Sequence, residues 1–190
     1  MSEKQVFVSW SKPASQKIAA AFCDVVEALP LSVRCWCSQR TADLPLGPYD
    51  HNRIIEAASE SDVCVSILTP ENSLSPWIFF EAGIFYGAKK NVYGLLSCGV
   101  THQQLKQKNN PIEGYHSYLS DKESFLGLIK SINTACNGVD ERRFLETAGD
   151  KYAELLELHT ELSKNFQDKE MASDATLTGM ISKAFKKKSD

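Results

Sequence analysis

The chain has no uninterrupted apolar run approaching the roughly 18 residues that a membrane helix needs. Its first residues, Met1-Ser2-Glu3-Lys4-Gln5, lack the basic-then-apolar pattern of a secretory leader. A basic surplus is missing too. The 21 Lys and Arg against 24 Asp and Glu give a formal charge of −3, which weighs against a nucleic-acid binder. Six cysteines are scattered through 190 residues without a C-x-x-C pair; Cys35 and Cys37 flank Trp36. That spacing suits neither a redox motif nor a zinc site, and the expectation is reduced, buried thiols in a cytoplasmic protein. The four histidines, at 51, 102, 116 and 159, stand far apart. No metal site is expected, and no histidine is placed to activate a cysteine nucleophile. The phosphate-binding G-x-x-x-x-G-K-[ST], the nucleophile elbow G-x-S-x-G and the zinc helix H-E-x-x-H are all absent. There are no internal repeats and no low-complexity linker.

What is present is an ordinary globular composition, 43% hydrophobic and 24% charged, at the length of one domain with an appendage. Residues 5–11 read as a short strand. A helix follows over 14–29, with Ile18, Phe22, Val25, Val26 and Leu29 on one face and Pro30 ending it. Val33 to Cys37 is a second strand, and Pro45, Gly47 and Pro48 punctuate a loop over 38–50. A short helix over 51–60 would turn Ile54, Ile55 and Ala58 inward. Val63-Cys64-Val65-Ser66-Ile67-Leu68 is the clearest strand, apolar on both faces as in a covered sheet. Ser75-Pro76 then starts a helix running to about Lys90, with Ser75 as its cap and Pro76 in its first turn. Asn91 to Leu96 gives a fourth strand, Gly114 to Tyr118 a weak fifth, and 121–135 a helix. The alternation predicts an α/β fold: a parallel sheet with helices on both faces, whose ligands collect beyond the carboxyl ends of the strands. Residues 140–168 form a further amphipathic helix. The tail from Ser173 is expected to be loose or weakly helical, with a basic end that is solvated or touches an anionic surface.

Two segments can carry chemistry. Between Trp77 and Gly87 the only charged side chain is Glu81, in a stretch apolar enough to predict a helix buried on all sides. Carboxylates are seldom buried without a partner. Glu81 is therefore a functional-site candidate with Trp77 one turn before it on the same face; the competing readings are a solvent-facing Glu or an ion pair with Arg40 or Arg53. The second segment is Phe7-Val8-Ser9-Trp10-Ser11-Lys12-Pro13. Its backbone N–H groups and hydroxyls can hold phosphates or ribose hydroxyls, and Trp10 either stacks on a base or caps the core.

On these residues the chain resembles a bacterial TIR (Toll/interleukin-1 receptor) domain. The match runs through Val6-Phe7-Val8-Ser9-Trp10-Ser11, Cys35-Trp36-Cys37-Ser38 and Asp43-Leu44-Pro45-Leu46-Gly47. It is most specific over Leu68-Thr69-Pro70-Glu71-Asn72 and Ser75-Pro76-Trp77-Ile78-Phe79-Phe80-Glu81-Ala82-Gly83. The resemblance covers residues 5 to about 135 and divides the chain into a TIR domain, 1–138, and a C-terminal helical extension with its basic tail, 139–190. It implies a flavodoxin-like five-stranded parallel sheet. It also implies an enzyme that splits the nicotinamide–ribose bond of NAD+, giving ADP-ribose or a cyclic ADP-ribose isomer, in anti-phage defence of the Thoeris type. Glu81 would be the catalytic glutamate, and Ser9, Trp10, Ser11 and Trp77 would line the substrate site. NAD+ is then the substrate and no cofactor is needed. The implied partners are further copies of the chain, through TIR–TIR contacts, and a separate effector that senses the product; neither nucleic acid nor membrane is among them. One departure is Asp50, with Tyr49 beside it, where relatives often carry a Trp. Two other readings stand beside this one: a non-enzymatic TIR adaptor, and a nucleoside deoxyribosyltransferase-like protein with the same kind of sheet and a catalytic Glu.

Overall fold

In the computed structural model the described residues are 4–30, 33–38, 51–112, 115–136 and 141–186. Five strands, β1 (Lys4–Ser9), β2 (Val33–Trp36), β3 (Val63–Leu68), β4 (Asn91–Leu96) and β5 (Tyr115–Tyr118), form one sheet in the order β2-β1-β3-β4-β5. Every pairing is parallel. The helices are α1 (Pro13–Glu27), α2 (His51–Glu60), α3 (Pro76–Gly87), α4 (His102–Gln107), α5 (Lys122–Ala135) and α6 (Glu141–Lys186). This is the parallel sheet with helices on both faces that the alternation predicts, in the flavodoxin-like form that the resemblance implies. Its physical origin is plain in β3, whose six residues are all buried: a strand covered on both faces has no place for a polar alternation.

Two apolar clusters sandwich the sheet. One joins β1, β3 and β4 to α1, α5 and α6 through Ile18, Phe22, Phe125, Ile129, Tyr152 and Leu155. The other joins the opposite face to α2, α3 and α4 through Phe7, Ile54, Ile78, Phe85 and Leu105. All six cysteines are buried, and none is in a disulfide. Among the described residues, no helix is long and apolar enough to cross a membrane.

The chain departs from the sequence reading in five places. On α2 the buried positions are Ile54, Ala57 and Ala58, an i, i+3, i+4 set, and Ile55 is turned outward. The helix α3 is not buried on all sides: Ile78, Glu81, Ala82 and Phe85 face the sheet, whereas Phe80 is 45% exposed and Gly83 and Gly87 lie on the outside. Composition could not separate these faces, because the outward residues are as apolar as the inward ones. Ser75 occupies the N-cap position but makes no side-chain cap bond. The helix α4 has no long apolar stripe to reveal it; a capping box between Thr101 and Gln104 starts it instead. Finally, α6 runs unbroken for 46 residues. Its second half contains no proline and carries Ala, Met and Lys at nine positions, so no proline stops it. It packs along α1 and α5 as an added layer. The loop that holds Gly47, Tyr49 and Asp50 lies outside the described residues.

Candidate active site

The sheet changes direction at β1, which has β2 on one side and β3 on the other. Ligands of such sheets bind outside the carboxyl ends of the strands at that switch point. A cavity of about 620 Å³ lies there. Its wall is built from the β1–α1 turn (Trp10, Ser11, Lys12), Ser38 after β2, the β3–α3 loop (Glu71, Ser73, Leu74, Ser75), Trp77 and Lys108.

Glu81 sits at the foot of this wall and is only 2% exposed. The Ser9 hydroxyl, at the last position of β1, donates to its Oε2. The Trp77 indole N–H, one helical turn earlier, donates as well. Neither a solvent-facing position nor an ion pair with Arg53 describes it; Arg40 lies outside the described residues. Burial pushes the Glu81 carboxyl up to about 8; the bonds from Ser9 and Trp77 pull it part of the way back, and the nearby Cys37 thiol adds to the rise. At neutral pH this carboxyl therefore holds its proton in the arrangement seen here.

Trp77 lines the cavity and is bonded to the Glu81 carboxyl, which is not itself part of the lining. Its ring packs edge-on against His51, centroids 5.3 Å apart, and lies 5.6 Å from Phe80. The residues predicted for the site thus divide into two layers. Trp10, Ser11 and Trp77 line the cavity; Ser9 and Glu81 lie beneath it, bonded to each other. Ser11 Oγ donates to Ser75 Oγ at 2.9 Å, which ties the β1–α1 turn to the start of α3 across the cavity. Trp10 packs on the core, as one of the two readings had it, and also stands in the cavity wall. Its indole N–H is buried with no partner among the described residues.

Two of the backbone donors at the start of α1 are already used within the chain. Glu71 Oε1 accepts the Ala14 N–H at 2.9 Å, and the Ser11 N–H is bonded to Ser15 Oγ at 3.2 Å. With Lys12 making no side-chain cap, a carboxylate from the β3–α3 loop serves the N-terminus of α1. For an anion the cavity wall instead carries Lys12, Lys108 and Ser11. Glu71, His51 and Lys108 escaped sequence reasoning. Glu71 stands in the Thr69-Pro70-Glu71-Asn72 string, which signalled only a turn. His51 and Lys108 come from helices whose placement a sequence does not show.

No protein-family model matches the chain, and no curated protein matches it. What the fold and the cavity define is a class: a parallel α/β domain with an aromatic-walled cavity at its switch point and a neutral carboxylic acid under that cavity.

Proposed function

We propose that the chain is a TIR-type enzyme that cleaves the nicotinamide–ribose bond of NAD+. The observation that carries this reading is the Glu81 carboxyl, buried beneath a cavity between Trp77 and the β1–α1 turn and paired with hydroxyl and indole donors in place of a cation. A lone carboxyl suits this reaction. The pyridinium ring of NAD+ is already cationic, so nicotinamide leaves as a neutral base when the C1′–N bond breaks and its electron pair goes to nitrogen. No general acid is needed, whereas a glycoside hydrolase uses a second carboxyl to protonate its leaving group. The ionised Glu81 stabilises the positive charge that develops on the ribose, at short range in a low-dielectric site. Water then adds to C1′, releasing a proton and giving ADP-ribose. A nucleophilic atom of the same nucleotide adding there instead gives a cyclic isomer.

In this reading the structure represents a resting arrangement. The carboxyl is neutral and bonded to Trp77, and turnover requires the indole to swing away and Glu81 to lose its proton. A cationic ring arriving beside the carboxyl favours that ionisation. Self-association supplies a cause for the movement. Leu74 is 50% exposed at the cavity rim, and exposed Phe80 packs on Trp77, so a second copy seated on this face would bear directly on the indole. The same patch favours the second reading, a TIR adaptor that only docks. The proposed setting is anti-phage defence in the cytoplasm, with a separate effector reading the product.

Chromatography of nucleotides after incubation with NAD+ at high protein concentration, with and without phage-infected lysate, tests both readings. The enzyme yields nicotinamide and either ADP-ribose or a cyclic isomer, and Glu81→Gln yields neither. Intact NAD+ under every condition leaves the adaptor.

A further inference from the structure

The amphipathic stripe of α6 buries Ala148, Tyr152, Leu155 and Leu162, and His159 falls in the same stripe. An imidazole thus takes a core position and is only 7% exposed. Its Nε2 accepts the backbone N–H of Cys98 at 3.0 Å, 61 residues away in sequence. That acceptor role requires the neutral ring with its proton on Nδ1. The turn it holds is strained. Cys98 has φ 55 and Gly99 φ 87, consecutive left-handed residues at the end of β4. A side-chain-bearing residue keeps such a conformation only when its surroundings impose it.

The turn leads straight to the cavity. Thr101 caps the start of α4, Lys108 is its C-cap, and Asn110 Nδ2 donates to the Ser73 carbonyl at 2.6 Å. A second cavity, about 370 Å³, has Cys98, Gly99, Ser163 and Phe166 on its α6 side and Pro70, Ser73 and Lys108 on the other. Those last three also line the cavity above Glu81. We infer that His159 is a positioning residue: its imidazole latches α6 onto the Cys98–Gly99 turn and thereby holds Lys108 and Ser73 in the wall of the candidate substrate cavity. The latch shapes that cavity whatever fills it, so its test needs no turnover.

The test is a ¹H–¹⁵N spectrum of the full chain with three readings: amide exchange at Cys98, the indole signals of Trp10 and Trp77, and that of Trp36 as a control. In His159→Leu the Cys98 N–H loses its acceptor, its exchange rises about tenfold as for one ordinary buried hydrogen bond, and the two cavity indoles shift while Trp36 holds. In His159→Gln, whose Oε1 replaces Nε2 as acceptor, both readings return. A pH series repeats the comparison without relying on the leucine chain to fold. Burial alone depresses the His159 pKa; no carboxylate or cation on α1, α5, α6 or the β4–α4 turn contributes. The titratable group at the bond is the Cys98 thiol, which burial and the field of Glu71 keep neutral. The latch is therefore intact above the depressed pKa and is lost as pH falls through it, when an imidazolium N–H faces the Cys98 N–H. His102 on α4 and His116 on β5 are the other imidazoles near this turn, and they are common to the wild-type and His159→Gln chains, so the difference between the two isolates His159. Unchanged Cys98 exchange in His159→Leu overturns the latch, as does one pH course shared by wild type and His159→Gln. Faster exchange with unmoved Trp10 and Trp77 indoles overturns the positioning role.

Discussion

Replacing Glu81 with glutamine tests whether the site is built around a neutral carboxyl. The side chain keeps its size and shape and its amide oxygen can still accept a hydrogen bond, but it cannot ionise. In the wild type the folded carboxyl titrates at about 8 against a reference value of 4.5. The native state therefore binds one more proton than the unfolded chain between those values, and stability falls as pH rises across that window. Below 4.5 both states are protonated and the group contributes no pH dependence; above 8 the full penalty is present. At 1.36 kcal/mol per pH unit the whole window is worth on the order of 5 kcal/mol, an upper figure because water penetration and relaxation soften it. For a chain of this size each kcal/mol moves Tm by about 2–4 °C. Thermal unfolding of both chains between pH 5 and 9 should show Glu81→Gln gaining on the wild type by about 5–20 °C as pH rises, and near parity at the acid end. A Tm difference that does not change with pH, or a variant less stable than wild type at pH 9, would refute the reasoning. Either would mean that Glu81 is hydrated or charge-paired in solution.

Three further substitutions test the site and the sheet that carries it. Trp10→Phe keeps the ring against the core and removes a buried donor that has no partner among the described residues, so Tm should hold or rise slightly while KM for NAD+ rises several-fold; a fall in Tm with unchanged KM would make Trp10 a core residue alone. Glu71→Ala strips the N-terminus of α1 of its carboxylate and should cost about 1 kcal/mol in a urea titration, with α1 amides exchanging faster; unchanged amides would deny the capping role. Gly94→Ala places a Cβ 2.5 Å from His116 Cδ2, on a ring whose Nδ1 lies 2.9 Å from Nδ1 of His102, so it should cost about 1–3 kcal/mol and disturb the signals of both imidazoles; a neutral midpoint would show that β5 yields freely.

The fold was legible because its signals are local. Val63 to Leu68 reads as a doubly covered strand from its β-branched run, and the strand–helix alternation leaves a parallel sheet as the simplest packing. Glu81 stood out for the same reason, as one charge in an apolar stretch. The misreadings follow a pattern. Phe80 and Ile78 are equally apolar, so only the packed helix separates the face against the sheet from the face in solvent. Lys108 reaches the cavity from a helix set by its cap and not by a stripe, and His159 meets Cys98 across 61 residues of sequence.

The order of strands and helices, the segments that bear on the site and the oddity of residue 81 are properties of the linear chain, because periodicity and composition act over a few residues. The proton on Glu81, the occupation of the α1 N-terminus by Glu71 and the bond from the C-terminal helix to the Cys98 turn arise only on folding. Each depends on burial and on meetings between residues far apart in sequence, and neither quantity is written in any one segment.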